Sequence, residues 1–205
     1  MDVSSRKLTV LDQISSADKV RRKIINTASA LYAKKGYAGT SIEEIAEMAG
    51  VSLPVTYHYV KKKSEIMKMI MEDLLHIFRE SLTSQVGSIQ EPEDKLATGI
   101  ILYCKAVDQQ KEKILLVYQK SASLDASSKA KIMQLELEVA GIFGQIIREG
   151  VDRGLFKEVD IDLMAFNIIM MAHLWVLKKW HFKKRLELEK FIELQLSIIL
   201  GALRK

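Results

Sequence analysis

The sequence has little of what a cross-linked or strand-rich protein needs. Its 205 residues hold one cysteine, Cys104, which excludes an intrachain disulfide and any multi-cysteine metal site and reads as a small buried side chain rather than a reactive thiol. Only 2 prolines and 10 glycines are present, too few turn signals for many short strands. No apolar run reaches the roughly 20 residues of a membrane span, since even the stretch 163–177 is broken by Asn167 and His173. Residues 1–16 mix charges with short apolar pieces and show no apolar core followed by a small-residue cleavage site. A secretory signal is therefore not expected, and a cytoplasmic location is.

Catalytic signatures are missing as well. His58, His76, His173 and His181 have no HExxH or other metal spacing, and there is neither a nucleophile elbow nor a glycine-rich phosphate loop. The expectation is a protein that is not an enzyme and carries no cofactor and no metal.

What is present is helical pattern. With 48% apolar and 28% charged residues, the chain reads as all-α, with about nine helices in three parts: a flexible tail over 1–17, a three-helix head over 18–63 and a larger helical bundle over 64–205. Charge divides along the same line. Residues 1–63 carry 11 Lys/Arg against 6 Asp/Glu, whereas residues 64–205 carry 20 of each. The whole net charge of +5 thus belongs to the head, and local basicity is what phosphate neutralisation requires. Arg6 and Lys7 in the tail are candidates for an additional phosphate contact.

The head's helices are bounded by recognisable signals. Val20, Ile24, Ala28 and Leu31 recur at helical spacing, with Ser15 and Asp18 as a capping pair, and Lys34-Lys35-Gly36 ends the helix with cations and a left-handed cap. Thr40-Ser41-Ile42-Glu43 matches a capping box opening helix two. Ala49-Gly50-Val51 supplies a tight turn, Ser52 is a natural N-cap, and Pro54 falls in the first turn of a third helix that starts at Leu53. Further helices are expected from Ser64 to about 84, then after Pro92, at about 111–122 and 127–152, after Asp160, and from about 186 to 203.

From Gly36 to Ile66 the chain reads GYAGTSIEEIAEMAGVSLPVTYHYVKKKSEI. Thr40, Ile45-Ala46, Ala49-Gly50-Val51-Ser52, Pro54, Thr56-Tyr57-His58, Val60 and Lys63 stand at fixed spacings that closely resemble the helix-turn-helix of the TetR family of transcriptional regulators. Three positions depart from that pattern: Thr56 stands for an aliphatic, Val60 for a phenylalanine, and Leu53 for a common lysine. Thr56 and Val60 lie four apart on the face expected to meet helices one and two, so their smaller volumes imply a locally adjusted core.

The resemblance implies a ligand-responsive regulator, a repressor by family default, that binds palindromic operator DNA as a homodimer. A major groove about 12 Å wide admits one helix, and a helix N-terminus offers amides and positive dipole to phosphates. The residues expected at double-stranded DNA are Thr40, Ser41, Ser52, Leu53, Pro54, Val55, Tyr57, His58, Tyr59 and Lys63. Of these, Val55 suits a thymine methyl, His58 a base edge or phosphate, and Tyr57 and Lys63 the backbone, while Tyr59 is open between packing and backbone contact.

The resemblance also implies an effector pocket and a two-helix dimer contact in the bundle. Tyr103, Tyr118, Phe143, Asn167, Met170 and His173 are the effector candidates, suiting a small-molecule ligand that is mainly apolar with a few polar anchors. Leu174, Trp175, Phe191, Ile198 and Ile199 are the interface candidates. The stretch 175–182, with Lys178, Lys179, Lys183, Lys184 and Arg185 nearby, resembles members that sense acyl-coenzyme A. The alternative from another class is a helical protein-binding adaptor without specific DNA binding.

Overall fold

The computed structural model describes residues 16–121 and 124–205. They form ten helices: α1 (Ser16–Lys35), α2 (Ile42–Ala49), α3 (Leu53–Tyr59), α4 (Lys63–Val86), α5 (Pro92–Gln109), α6 (Lys111–Lys120), α7 (Ala126–Asp152), α8 (Ile161–Leu177), α9 (Lys179–Phe182) and α10 (Leu188–Leu203). The chain is all-α as expected. The helix beyond the expected nine is the four-residue α9, too short to leave a periodic signal in the sequence. Among the described residues the only β feature is an isolated bridge between Phe156 and Arg204. Ser16 and Ala17, assigned to the tail from sequence, are the first turn of α1; Arg6, Lys7 and Ser15 lie outside the described residues.

Two compact units result, one ending at Ile70 and the other starting at Met71, so the division falls inside α4. In the first unit α1 packs on α2 and α2 on α3. Ile24, Ile25, Ala28 and Leu31 of α1 are buried, as are Ile42, Ile45 and Ala46 of α2; each large aliphatic among them contributes roughly 1.5–3 kcal/mol. Gly36 (φ 79°) and Gly50 (φ 61°) take the left-handed conformation that ends α1 and α2. Thr56 and Val60 are both fully buried, on the inward face expected for them.

The capping of α2 is offset by one residue from the expected box. Ser41 is the N-cap, its Oγ accepting the Glu44 amide at 3.1 Å. Thr40 faces inward instead, 1% exposed, and donates its hydroxyl to the Gly36 carbonyl at 3.0 Å. Pro54 sits in the first turn of α3, and Ser52 precedes it without a side-chain capping bond.

In the second unit α5, α7 and α8 pack on one another, with α6 and α10 each laid against α5 and α8. Phe78, Tyr103, Cys104, Phe143, Trp175 and Phe191 belong to its apolar core. Two half-buried ion pairs tie neighbouring helices: Lys113 to Asp73 at 2.8 Å joins α6 to α4, and Lys95 to Glu149 at 2.6 Å joins α5 to α7. Near the end of α7 the chain folds back so that the Leu155 and Phe156 amides both donate to the Gly150 carbonyl. A Cβ at Gly150 would lie 2.1 Å from the Phe156 ring, so this close approach requires glycine.

Candidate functional site

The first unit presents α3 outward. Leu53 (38%), Val55 (41%) and Tyr57 (39%) are large and exposed; Pro54 and His58 are exposed beside them. Only Thr56 turns inward, its hydroxyl donating to the Ser52 carbonyl at 3.1 Å. A seven-residue helix that buries Thr56, half-buries Tyr59 and displays the other five is held from behind and offered in front. That is the geometry of a helix displayed at the surface rather than one packed into the core.

Around it, several hydroxyls and one ammonium are already engaged. The Tyr57 hydroxyl donates to Glu43 Oε1 at 2.7 Å; that bond lowers the Glu43 carboxyl below its usual range and raises the Tyr57 phenol. Tyr59, half-buried, donates to the Ala17 carbonyl at 3.3 Å and meets His58 edge to face. Glu43 was not among the sequence candidates, and the only signal for it was its place in the first turn of α2, where acids are commonplace.

Two DNA candidates are used differently from expectation. Thr40 has its hydroxyl buried, so it has none to give a phosphate. Lys63 turns inward: its Nζ donates to the carbonyls of Tyr37 (3.0 Å), Ala38 (3.4 Å) and Thr40 (2.9 Å) and lies 4.9 Å from the Tyr37 ring centre. An ammonium has three N–H donors, and this one spends them closing the loop between α1 and α2.

The second unit holds a partly open cavity of about 300 Å³ bordered by α4, α5, α6, α7 and α8. Leu74, Phe78, Ile114, Val117, Val139 and Ile169 make it mainly apolar, and Tyr103, Tyr118, Ser121, Glu136 and His173 supply its polar atoms. That volume is at the small end for a ligand site. Four of the six effector candidates, Tyr103, Tyr118, Met170 and His173, line it. Phe143 and Asn167 do not: Phe143 is fully buried against Tyr103, and Asn167 is on the exposed side of α8. Helical spacing could not separate cavity wall from packed core or outer face here, because α8 is apolar nearly all round.

His173 organises the polar end. Its Nε2 is 3.0 Å from the Tyr103 hydroxyl and its Nδ1 is 2.9 Å from that of Tyr118. Burial pushes the imidazole down to about 4, so it is neutral at pH 7. Burial also raises both phenols and the Glu136 carboxyl.

The interface candidates divide. Trp175 (3%), Phe191 (1%) and Ile199 (3%) are core residues of this subunit, and Trp175 Nε1 donates to Asp108 at 2.9 Å; they are corrected from surface to interior. Leu174 is half-buried. Ile198 is 61% exposed, and Leu163, Phe166, Met170 and Leu194 are exposed with it. The basic stretch contributes nothing to the cavity wall. Lys183 there lies 3.9 Å from Asp108 and 5.6 Å from the Trp175 ring centre.

A short outward helix behind a glycine turn, joined in one chain to a helical unit with an apolar cavity, is the architecture of a helix-turn-helix regulator. The chain belongs to the TetR family of transcriptional regulators. Residues 24–70 match the model of the bacterial regulatory proteins of the tetR family, and residues 90–181 match that of the tetracyclin repressor-like C-terminal domain. Among relatives, the chain is 28% identical over 195 residues to the HTH-type transcriptional regulator HbdR of Aromatoleum sp. (strain CIB), covering 94% of this chain and 85% of that one. It is 24% identical over 176 residues to the HTH-type transcriptional repressor KstR2 of Rhodococcus jostii (strain RHA1), covering 83% of each. The crystal structure of AibR in complex with isovaleryl coenzyme A and operator DNA superposes with a TM-score of 0.72 at 23% identity, over 87% of this chain and 97% of that one. Among the described residues no helix is long and apolar enough to cross a membrane.

Proposed function

We propose that this regulator is a cytoplasmic repressor that binds a palindromic operator as a homodimer and releases it when a small, mainly apolar effector, or the acyl part of an acyl-coenzyme A, occupies the cavity. The observation that carries this reading is the outward display of Leu53, Pro54, Val55, Tyr57 and His58 on a helix short enough to enter one groove. Val55 offers a methyl contact to thymine, His58 a base edge or phosphate contact, and Ser41, Ser52 and Tyr59 add positioning contacts to the backbone.

Dimerisation is supported by large apolar side chains exposed on α8 and α10. Leu163 on α8 and Leu194 and Ile198 on α10 are exposed, on two helices that touch each other; Phe166, one turn from Leu163, is exposed as well but also lines the cavity. Large aliphatics on adjacent helices suit a four-helix contact with a second copy. Two reading helices about 34–36 Å apart then address two half-sites.

Release follows from linkage. Helix α4 runs unbroken from Lys63 to Val86, and its later turns supply Met71, Leu74, Leu75 and Phe78 to the cavity wall. An effector that favours a different placement of those turns biases the head by its differential affinity, typically 1–3 kcal/mol. The experiment is a titration of the protein bound to its operator with candidate effectors at saturating occupancy. The reading expects operator affinity to fall roughly fivefold or more, and a bound effector that leaves it unchanged would refute the allosteric step. A helical adaptor would bind no operator in the same assay.

A further inference from the structure

The cavity contains more chemical information than its apolar lining, because its polar end is wired in one direction. A neutral imidazole has one N–H and one bare nitrogen, yet both nitrogens of His173 meet a tyrosine hydroxyl. The Tyr103 hydroxyl lies on a residue 1% exposed, and among the described residues its one hydrogen-bond partner is His173 Nε2. Had Nε2 carried the proton, the Tyr103 O–H would be a buried donor with nothing to accept it, an arrangement proteins avoid. Tyr103 therefore donates to a bare Nε2, and the His173 proton sits on Nδ1.

Nδ1–H then donates to the Tyr118 oxygen at 2.9 Å, which leaves Tyr118 with its own O–H still to give. Among the described residues the acceptor it meets is the Met170 thioether sulfur, 3.5 Å away, a weak partner. Tyr118 is part-exposed and lines the cavity. A strong oxygen acceptor brought into the cavity would displace that sulfur, and the chain from Tyr103 through His173 would strengthen the new bond by polarising each link.

The charges around the cavity narrow the acceptor further. No lysine or arginine is among the described residues that line it, and the one ionisable acid is Glu136. With His173 neutral, nothing there compensates a carboxylate or a phosphate, whose burial without a partner is costly. An uncharged carbonyl oxygen asks for a donor and nothing else.

Resting on the reading of this cavity as the effector site, we propose that it selects an uncharged apolar molecule bearing a carbonyl oxygen, namely an ester, thioester or ketone. The Tyr118 hydroxyl donates to that oxygen, while His173 and Tyr103 are positioning residues that aim it. Any anionic portion of such a molecule stays outside the cavity.

The test uses the full chain and four probes of matched length: methyl octanoate, octanoate, octylamine and 1-chlorooctane, the last an apolar body with a poor acceptor. Affinities are read by calorimetry on the native protein and on Tyr118→Phe. The expected result is methyl octanoate binding tightest, with roughly three- to tenfold loss in Tyr118→Phe, the ratio one neutral hydrogen bond supplies, and 1-chlorooctane unchanged by the substitution. Octanoate or octylamine binding as tightly as the ester would overturn the proposal, as would an ester affinity indifferent to Tyr118→Phe while 1-chlorooctane still binds. Failure of all four probes to bind would remove the cavity itself as an effector site, and the proposal with it. Nitrogen-15 NMR of His173 gives a check free of ligand: a proton on Nδ1 is expected, and a proton on Nε2 contradicts the wiring.

Discussion

The Tyr57 hydroxyl on α3 donates to the Glu43 carboxylate on α2 at 2.7 Å, which ties the reading helix to its neighbour by an exposed, charged acceptor. On the DNA-facing surface proposed above, a carboxylate opposes phosphates and also occupies the donor that Tyr57 would offer them. Replacing Glu43→Gln is expected to raise operator affinity roughly two- to fivefold at low salt, with the gain shrinking as salt screens the surface. Tyr57→Phe should cost more in a Glu43→Ala background than in the native one, because only there is the hydroxyl free for phosphate; a glutamine amide oxygen would still accept it. A double-mutant cycle by fluorescence anisotropy measures that coupling.

Lys63 is expected to act on stability first and DNA second. Its ammonium bonds three carbonyls of the loop between α1 and α2, and charge-assisted hydrogen bonds of this kind are worth about 1.5–3 kcal/mol. Lys63→Met should lower the unfolding free energy by an amount of that order, read by chemical denaturation. The slope of operator affinity against salt should stay where it was, since no phosphate contact is lost.

The exposed apolar side chains of α8 and α10 give a separation between assembly and folding. Ile198→Glu places a charge on a side chain 61% exposed, so the subunit should keep its helical circular dichroism while sedimentation reports a monomer with weakened operator binding. Ile199→Glu, next door but 3% exposed, should unfold the second unit instead, because a buried unpaired charge costs several kcal/mol.

How far these sites could be read in advance depended on how unambiguous the local signals were. Pro54 and the glycines at 36 and 50 each have one structural use, so the limits of α3 and the ends of α1 and α2 were legible. The start of α2 was not, because Thr40 and Ser41 are both good caps and Glu43 and Glu44 both complete a box. What decides between them is the Gly36 carbonyl, which takes the Thr40 hydroxyl through a turn that no pattern of four residues shows. The inward grip of Lys63 was hidden for a similar reason: its partners are backbone carbonyls 23 to 26 residues earlier. In α8 and α10, large apolar groups occur on every side. Composition therefore marked those helices as interface material, but could not tell Ile198 from Ile199.

His173 makes stability fall with acid in a defined window. Its folded-state value, about 4, lies below the ordinary 6.5, so between those limits the unfolded chain binds a proton that the folded one does not. Stability is unaffected above about pH 6.5, declines as pH drops toward 4, and has then lost up to about 3 kcal/mol. His173→Asn should remove that decline, leaving the loss due to carboxylates such as Glu93 and Glu149, which salt bridges hold below their usual range. Urea unfolding of both proteins from pH 7 to pH 4 isolates the difference.

Whether α3 reads DNA from a paired molecule is decided most directly by anisotropy on a labelled duplex from the gene's own upstream region, titrated at several salt concentrations beside an unrelated duplex of equal length. The expected result is tight, salt-steep binding to the upstream duplex with two subunits per palindrome, and a changed sequence preference in Val55→Ala and His58→Ala. Equal affinity for both duplexes, one subunit per site, and indifference to those two substitutions would contradict it.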